Sequence, residues 1–290
     1  MPPPTETTPL TSPPQHPLPQ QEPFFLSLSP HNPTTILLLH GLTSSHLEWA
    51  PILPLLTPHY HILAVDLPGH SRSATLLPPP GEPLTIPFMT DSIAGIIQSH
   101  AHKSVAHIVG MSAGGFVALE LARRYPELCT SVFATGAHPF RGSYRFLASR
   151  PGIVMGIMWV MYNLPDVLYW KLVEWSGMRR HEELRGEMRG NRTWEVVSGV
   201  YGSILEFGGW EGVGGEVRTL VAVAEKGDDV GSVRGLRMGE GARVVVVKRA
   251  LHAWNLQMPE LFAEGIKAWV EGRGLPEGFE ELEGRRVSRV

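Results

Sequence analysis

The sequence has little cysteine, no long apolar run and no large excess of charge. Its 290 residues include one cysteine, Cys129, which excludes an internal disulfide and favours a reducing compartment. No stretch reaches the roughly 18 consecutive apolar residues of a membrane-spanning helix. The net charge of −3 is spread along the chain without a basic stripe. This pattern argues against nucleic acid as a partner.

Targeting and metal-binding patterns are also missing. Residues 1–21 have no basic start, no apolar core and no arginine, unlike secretory or mitochondrial leaders. We therefore expect a cytoplasmic protein without a membrane span. The pairs His59/His61 and His100/His102 lack an evident third ligand. We predict neither a metal site nor a cofactor.

Short apolar strands alternate with helical segments along most of the chain. Most of these strands are continuously apolar, as expected of strands buried on both faces. We predict strands at 34–39, 60–65, 105–110, 128–135, 218–224 and 242–247, with a possible edge strand at 24–28. The predicted helices are 46–56, about 89–101 with Thr90 or Asp91 near its N-cap, 113–124 and 259–270. This order implies an α/β fold with a mostly parallel central sheet flanked by helices.

Composition divides the chain into four predicted parts. Residues 1–23 are rich in proline, threonine and glutamine and are expected to form a disordered tail. Residues 24–137 and 218–272 form the core, and residues 138–217 form a helical lid inserted before the last two strands. Five of the eight tryptophans fall in the lid. Residues 273–290 are expected to be a loose tail.

Ser112 lies in a sharp turn between a predicted strand and a predicted helix. The segment reads Gly110-Met111-Ser112-Ala113-Gly114, with a glycine two residues on either side of the serine. A Cβ at either glycine would clash in a turn that forces the serine into strained backbone angles. This spacing is typical of a nucleophile elbow, although it also occurs by chance in ordinary loops.

A serine nucleophile needs a histidine to accept its proton and a carboxylate to orient that histidine. Three histidines follow Ser112, and only His252 lies in a loop just after a late buried strand. We therefore predict His252 as the base. The preceding acidic loop offers Glu225, Asp228 and Asp229. We choose Asp228 as the acid and keep Asp229 as the alternative, noting that Asp229 also suits a helix N-cap.

Two backbone N–H groups should stabilise the oxyanion of a tetrahedral intermediate. Ala113 follows the serine at a helix start, and Leu42 lies in the turn after His40-Gly41. We predict these two donors. His40 itself is interpreted as a buried, hydrogen-bonded structural residue, and Asp66 as the acid that holds the turn after the second predicted core strand.

These motifs together resemble the α/β-hydrolase superfamily, in its serine-nucleophile branch with an inserted lid. The matching pieces, over about residues 34–271, are His40-Gly41, Asp66-Leu67-Pro68-Gly69-His70-Ser71-Arg72-Ser73, Gly110-Met111-Ser112-Ala113-Gly114-Gly115, the Asp228 loop and Leu251-His252-Ala253-Trp254-Asn255-Leu256. The resemblance implies the order serine, acid, histidine for the triad. Two departures are a truncated strand pair before the first core strand and an acid loop one residue longer than usual.

The resemblance leads to a first functional hypothesis, a serine hydrolase acting on an ester, thioester or related carbonyl compound with an apolar body. The lid aromatics suggest the apolar substrate, with Met111, Trp159, Tyr162 and Trp254 as candidate substrate-binding residues. Carbon–carbon bond hydrolysis, lyase or acyltransferase chemistry on the same triad stays open.

Two hypotheses from other classes are a non-catalytic, receptor-like binding protein and a peripheral membrane protein. In the second, Met155–Trp175 would lie at a lipid interface, although that segment lacks a basic face. The sequence does not reveal the oligomeric state.

Overall fold

The computed structural model describes residues 21–234, 236–282 and 285–286. Its strands are β1 (Phe25–Leu28), β2 (Thr35–Leu39), β3 (His61–Val65), β4 (Ala106–Met111), β5 (Cys129–Thr135), β6 (Thr219–Lys226), β7 (Arg237–Met238), β8 (Ala242–Leu251), β9 (Phe279–Glu281) and β10 (Arg285–Arg286). Eight of them form one sheet in the order β1-β3-β2-β4-β5-β6-β8-β9, and β7 pairs with β10. Only β1 and β9 run antiparallel to their neighbours in the large sheet. The predicted α/β fold with a mostly parallel sheet is therefore confirmed.

Helices cover both faces of this sheet. They are α1 (Leu53–Leu56), α2 (Ile86–His100), α3 (Ala113–Arg124), α4 (Gly142–Ala148), α5 (Pro151–Tyr162), α6 (Asp166–Trp175), α7 (Glu182–Gly190), α8 (Trp194–Leu205), α9 (Val230–Val233), α10 (Trp254–Gln257) and α11 (Pro259–Val270). The predicted bounds of α3 and α11 are confirmed. Helices α4 to α8 lie between β5 and β6, in the region where we expect the lid.

The core consists of two apolar layers on opposite faces of the sheet. In β2, Leu37 and Leu39 join the layer that contains α2 and α3, whereas Ile36 and Leu38 join the layer that contains α11. Every residue of β2 is buried. This explains why the strand is continuously apolar, since successive side chains point to opposite faces and both faces are covered.

Two helix predictions are wrong in their bounds, and proline explains both. The predicted helix 46–56 is a 3₁₀ turn, His46–Trp49, followed by the separate α1, because Pro51 lacks the N–H that a continuous helix requires. The predicted helix from about Met89 begins earlier, at Ile86, with Thr85 as its N-cap. Pro87 is tolerated in this first turn, where the backbone N–H has no helical partner.

The carboxyl-terminal part of the core differs from the prediction. Residues 279–281 form β9, which pairs with β8 and makes the edge of the sheet. The expected lid therefore precedes three strands of the large sheet instead of two, and the expected tail 273–290 is not loose over this stretch. Most of the tail expected at 1–23 lies outside the described residues.

Parallel strands place the loops at their carboxyl ends along one edge of the sheet. In this protein the loops that follow β2, β4, β6 and β8 contain Leu42, Ser112, Asp228 and His252 respectively. The topology therefore collects residues from four distant parts of the chain at one edge.

Candidate active site

Ser112 is held in a strained backbone conformation between β4 and α3. Its φ of 52° and ψ of −115° lie outside the ordinary regions for a residue with a Cβ. A Cβ at Gly110 would lie 2.2 Å from the carbonyl oxygen of Gly114, and one at Gly114 would lie 2.1 Å from that of Leu39. Both flanking positions therefore require glycine, and the turn presents the serine side chain at the edge of the sheet.

His252 links the serine to a carboxylate. Its Nε2 lies 3.0 Å from Oγ of Ser112, and its Nδ1 lies 2.5 Å from Oδ1 of Asp228. The carboxylate can only accept from the neutral imidazole, so Nδ1 carries the proton and Nε2 is free to accept from the serine hydroxyl. The structure thus brings together the three side chains that we predict as nucleophile, base and acid.

The second oxygen of Asp228 fixes the carboxylate in place. Oδ2 accepts a hydrogen bond of 2.7 Å from the backbone N–H of Ala224, and the side chain is fully buried. Asp229 has a different role, since its Oδ1 accepts from the N–H of Ser232 at 3.1 Å and caps α9. The geometry therefore supports Asp228 over Asp229 as the acid.

The carboxylate makes His252 more basic than an ordinary histidine. Partial burial of the ring opposes protonation, but the hydrogen bond and the negative charge of Asp228 outweigh it and raise the pKa of His252 above its usual value of 6.5. The charge of Glu48 adds to this rise. A more basic Nε2 is a better acceptor for the proton of Ser112.

The two predicted oxyanion donors remain available at the site. Within the described residues, no hydrogen bond uses the backbone N–H of Leu42 or of Ala113. A Cβ on Gly41 would lie 3.4 Å from Cβ of Ser112, so the Leu42 turn passes close to the nucleophile. Unpaired N–H groups beside a nucleophile are what a developing oxyanion requires.

Glu48 and Asn255 are two residues of the site to which the sequence analysis gives no role, and Asn255 occurs there only as part of a matching motif. The Glu48 carboxylate is buried and accepts from the N–H of Gly41 and from Nδ2 of Asn255, both at 2.9 Å. Burial raises the pKa of Glu48, and these hydrogen bonds offset only part of the rise. The pair connects the Leu42 turn to α10, directly after the loop that carries His252. The sequence feature that could have identified Glu48 is its position among apolar residues, next to Trp49.

His40 is buried near the site and has a structural role, in agreement with its sequence interpretation. Its Nδ1 donates to the carbonyl of Gly41 at 2.8 Å and its Nε2 accepts from the N–H of Leu67 at 3.0 Å. Burial lowers the pKa of His40 to about 3. The neutral ring therefore fixes the turn and takes no part in proton transfer.

The four predicted substrate-binding residues lie in different surroundings. Tyr162 is buried, and its hydroxyl lies 3.0 Å from Oγ1 of Thr43, directly after Leu42. Trp159 is on the surface with 54% of its area exposed, and Met111 is buried in the core. The prediction for Trp254 is wrong, because its Nε1 donates to Oγ1 of Thr135 and the indole is fully buried against Phe262.

Besides Tyr162, two other residues of the helical insertion contact the site. The hydroxyl of Tyr144 on α4 donates to the carbonyl of Gly227, next to Asp228, at 2.7 Å. The side chain of Asn191, after α7, donates to the carbonyls of Thr43 and Ser44. The insertion therefore contacts both the acid loop and the Leu42 turn.

Comparison with known proteins agrees with this fold. The family model of the alpha/beta hydrolase fold matches residues 34–159. The chain has the α/β-hydrolase fold. An AB hydrolase superfamily protein of Gibberella zeae is 29% identical over 265 residues, which are 87% of this chain and 86% of that protein. The family-model match includes Leu42 and Ser112 but ends before Asp228 and His252, whose assignment depends on the geometry.

Two further comparisons are more limited. A pimeloyl-[acyl-carrier protein] methyl ester esterase of Aeromonas hydrophila is 32% identical over 105 residues, which are 36% of this chain and 38% of that protein. This chain thus matches less than half the length of that esterase. The structure of a thermophilic esterase from Thermogutta terrifontis has a TM-score of 0.62 at 19% identity, covering 86% of this chain and 93% of that chain. This likeness shows a shared fold. The comparisons support hydrolase activity.

Proposed function

We propose that this protein is a serine hydrolase of the carboxylesterase type that acts on an ester, thioester or related carbonyl compound with an apolar body. The observation that carries the proposal is the hydrogen-bonded chain from Ser112 through His252 to Asp228. The strained serine backbone and the two available N–H donors support the same chemistry.

The geometry supports a two-step reaction. Oγ of Ser112 attacks the carbonyl carbon while Nε2 of His252 takes the hydroxyl proton, and the N–H groups of Leu42 and Ala113 donate to the oxyanion. The protonated histidine, stabilised by Asp228, then gives this proton to the leaving alcohol or thiol. Water, deprotonated by His252, then attacks the acyl group on Oγ of Ser112, the acyl–Oγ bond breaks to release the acid, and the histidine returns the proton to Oγ.

Aromatic side chains beside the acid loop support an apolar substrate. The ring of His138 lies 5.4 Å from that of Phe140 and 5.0 Å from that of Tyr144. These residues belong to the segment between β5 and the end of α4, so the start of the helical insertion brings aromatic side chains to the acid loop. We therefore propose that the insertion serves as a lid over the site. Apolar walls with a few polar groups are typical of small-molecule sites. The esterases named above support an ester as the bond that is cleaved.

A panel of p-nitrophenyl esters tests the proposal. We expect turnover, with kcat/KM rising as the acyl chain lengthens, and a loss on the order of 10⁶-fold in Ser112→Ala. Ser99→Ala, at an exposed position on α2, is the matched control and should keep full activity. If the folded protein hydrolysed none of the esters or the corresponding thioesters, the proposal would be wrong and a non-catalytic binding protein would be favoured.

A further inference from the structure

The outer surface of α4, α5 and α6 is unusually apolar. Among the described residues, 13 large hydrophobic side chains are exposed, and all but Leu77 and Trp194 lie between Phe146 and Trp175. Trp175 is 87% exposed and Val167 is 65% exposed. A concentration of this kind on a protein surface is typical of an interaction site.

Six of the exposed side chains on α5 and α6 follow the helical period. They recur at Ile153, Ile157 and Val160 on α5 and at Leu168, Leu172 and Trp175 on α6. Spacings of four and three residues place each set on one face of its helix. The opposite side of α5 packs against α8. We call the exposed surface of these three helices the α4–α6 face.

No single described helix is long and apolar enough to cross a membrane, and α5 and α6 pass such a test only as a pair bent by 100°. Two short helices at this angle are better suited to lie along the surface of a bilayer than to cross it.

Basic residues border the α4–α6 face. Residues 141–180 contain six arginines and lysines and two acidic residues, which gives this segment a charge of +4 in a chain of −3. Arg141, Arg145 and Arg150 precede most of the apolar side chains, and Arg179 and Arg180 follow them. Met155–Trp175 itself has Lys171 as its one basic residue and lacks a basic face, so most of the basic groups of this region lie on both sides of it.

We propose that the α4–α6 face docks on an anionic lipid surface. The apolar side chains would enter the boundary between headgroups and acyl chains, where Trp159 and Trp175 suit the interface. The bordering arginines would contact lipid phosphates. A second copy of the chain fits this face less well, because a symmetric contact would place two segments of charge +4 against each other.

This docking places the lipid surface next to the candidate active site. The inner sides of α4 and α5 contact the site through Tyr144, which binds the Gly227 carbonyl, and Tyr162, which contacts Thr43. The outer sides of the same helices carry the docking face. A substrate dissolved in the bilayer would then be close to the triad. The docking itself does not depend on the proposed hydrolase chemistry.

Vesicle flotation of the full-length protein tests the docking. Vesicles of phosphatidylcholine with and without phosphatidylserine are compared at low and high salt, and the Ser112→Ala protein is included so that binding is separated from turnover. We expect binding to the anionic vesicles that weakens with salt. The double variant Arg145→Gln/Arg179→Gln should lose about fivefold in vesicle partition per removed charge.

A matched pair of variants tests the apolar contribution. Val167→Ser/Leu168→Ser/Leu172→Ser changes exposed side chains of the face and should lower partition at least about tenfold. Leu77→Ser/Trp194→Ser changes exposed side chains outside the face and should bind like the unmodified protein. Equal binding by the triple variant would overturn the proposal. The proposal would also be overturned if the unmodified protein bound neither type of vesicle. A further contrary result would be that the unmodified protein is a dimer in solution and the triple variant is a monomer.

Discussion

Replacing Asp228 by asparagine should nearly abolish activity while leaving the fold intact. The carboxylate accepts from two donors, Nδ1 of His252 at 2.5 Å and the N–H of Ala224 at 2.7 Å. An asparagine has one oxygen and one NH₂ group in their place. If the NH₂ group faces Ala224, it opposes the backbone N–H of that residue, and neither donor has an acceptor there. If it faces His252, Nδ1 must accept, so the ring proton moves to Nε2 and the ring can no longer take the proton of Ser112.

The expected loss in kcat is about 10⁴-fold, the size found when a triad aspartate is replaced in this way. At 1.36 kcal/mol per tenfold change, this is about 5.4 kcal/mol of transition-state stabilisation. Stability should fall by only about 1–3 kcal/mol, because one buried hydrogen bond is lost.

Asp229→Asn is the matched control one residue away. The Oδ1 of Asp229 accepts from the N–H of Ser232 as a helix cap, and asparagine caps helices as well as aspartate. We expect kcat within about threefold of the unmodified protein and a small change in Tm. The assay is kcat on the best p-nitrophenyl ester, with a thermal melt of each variant. A larger loss in Asp229→Asn than in Asp228→Asn would refute the assignment.

Three further outcomes are expected. Glu48→Gln should lower both kcat and Tm, because glutamine cannot accept from both of the donors that Glu48 binds; ester kinetics and a melt check this. The pH profile of kcat/KM should fall on the acidic side with a midpoint above 6.5, since the reaction needs neutral His252 and its pKa is raised; in Asp228→Asn the midpoint should move down. Gly114→Ala should prevent folding, because its Cβ would lie 2.1 Å from a carbonyl oxygen, whereas Gly186→Ala meets nothing within 4 Å and should melt normally.

The parts of the fold that depend on local pattern could be predicted from the sequence. β2 is apolar throughout because both of its faces are covered, and the glycines around Ser112 are required by contacts within a few residues or with the adjacent strand. The loop positions of Asp228 and His252 follow from the strands before them. Periodicity reports which side of an element is buried, and these features need little more than that information.

The parts that depend on distant contacts could not be predicted in the same way. Glu48 and Asn255 are separated by 207 positions in the chain, so no local pattern shows that they meet. β9 has three residues, two of them glutamates, and it forms because its backbone pairs with the otherwise unpaired edge of β8. Trp254 follows the His252 loop, but its ring turns inward because Thr135 accepts its N–H.

Labelling with a fluorophosphonate tests most directly whether Ser112 is an activated nucleophile. The reagent phosphonylates serines that a neighbouring base deprotonates, and mass spectrometry of the digested protein locates the adduct. The account predicts one adduct, on the peptide that contains Ser112, absent in Ser112→Ala and formed slowly in His252→Ala. An unmodified Ser112 in the folded protein, or an adduct at another serine, would contradict it.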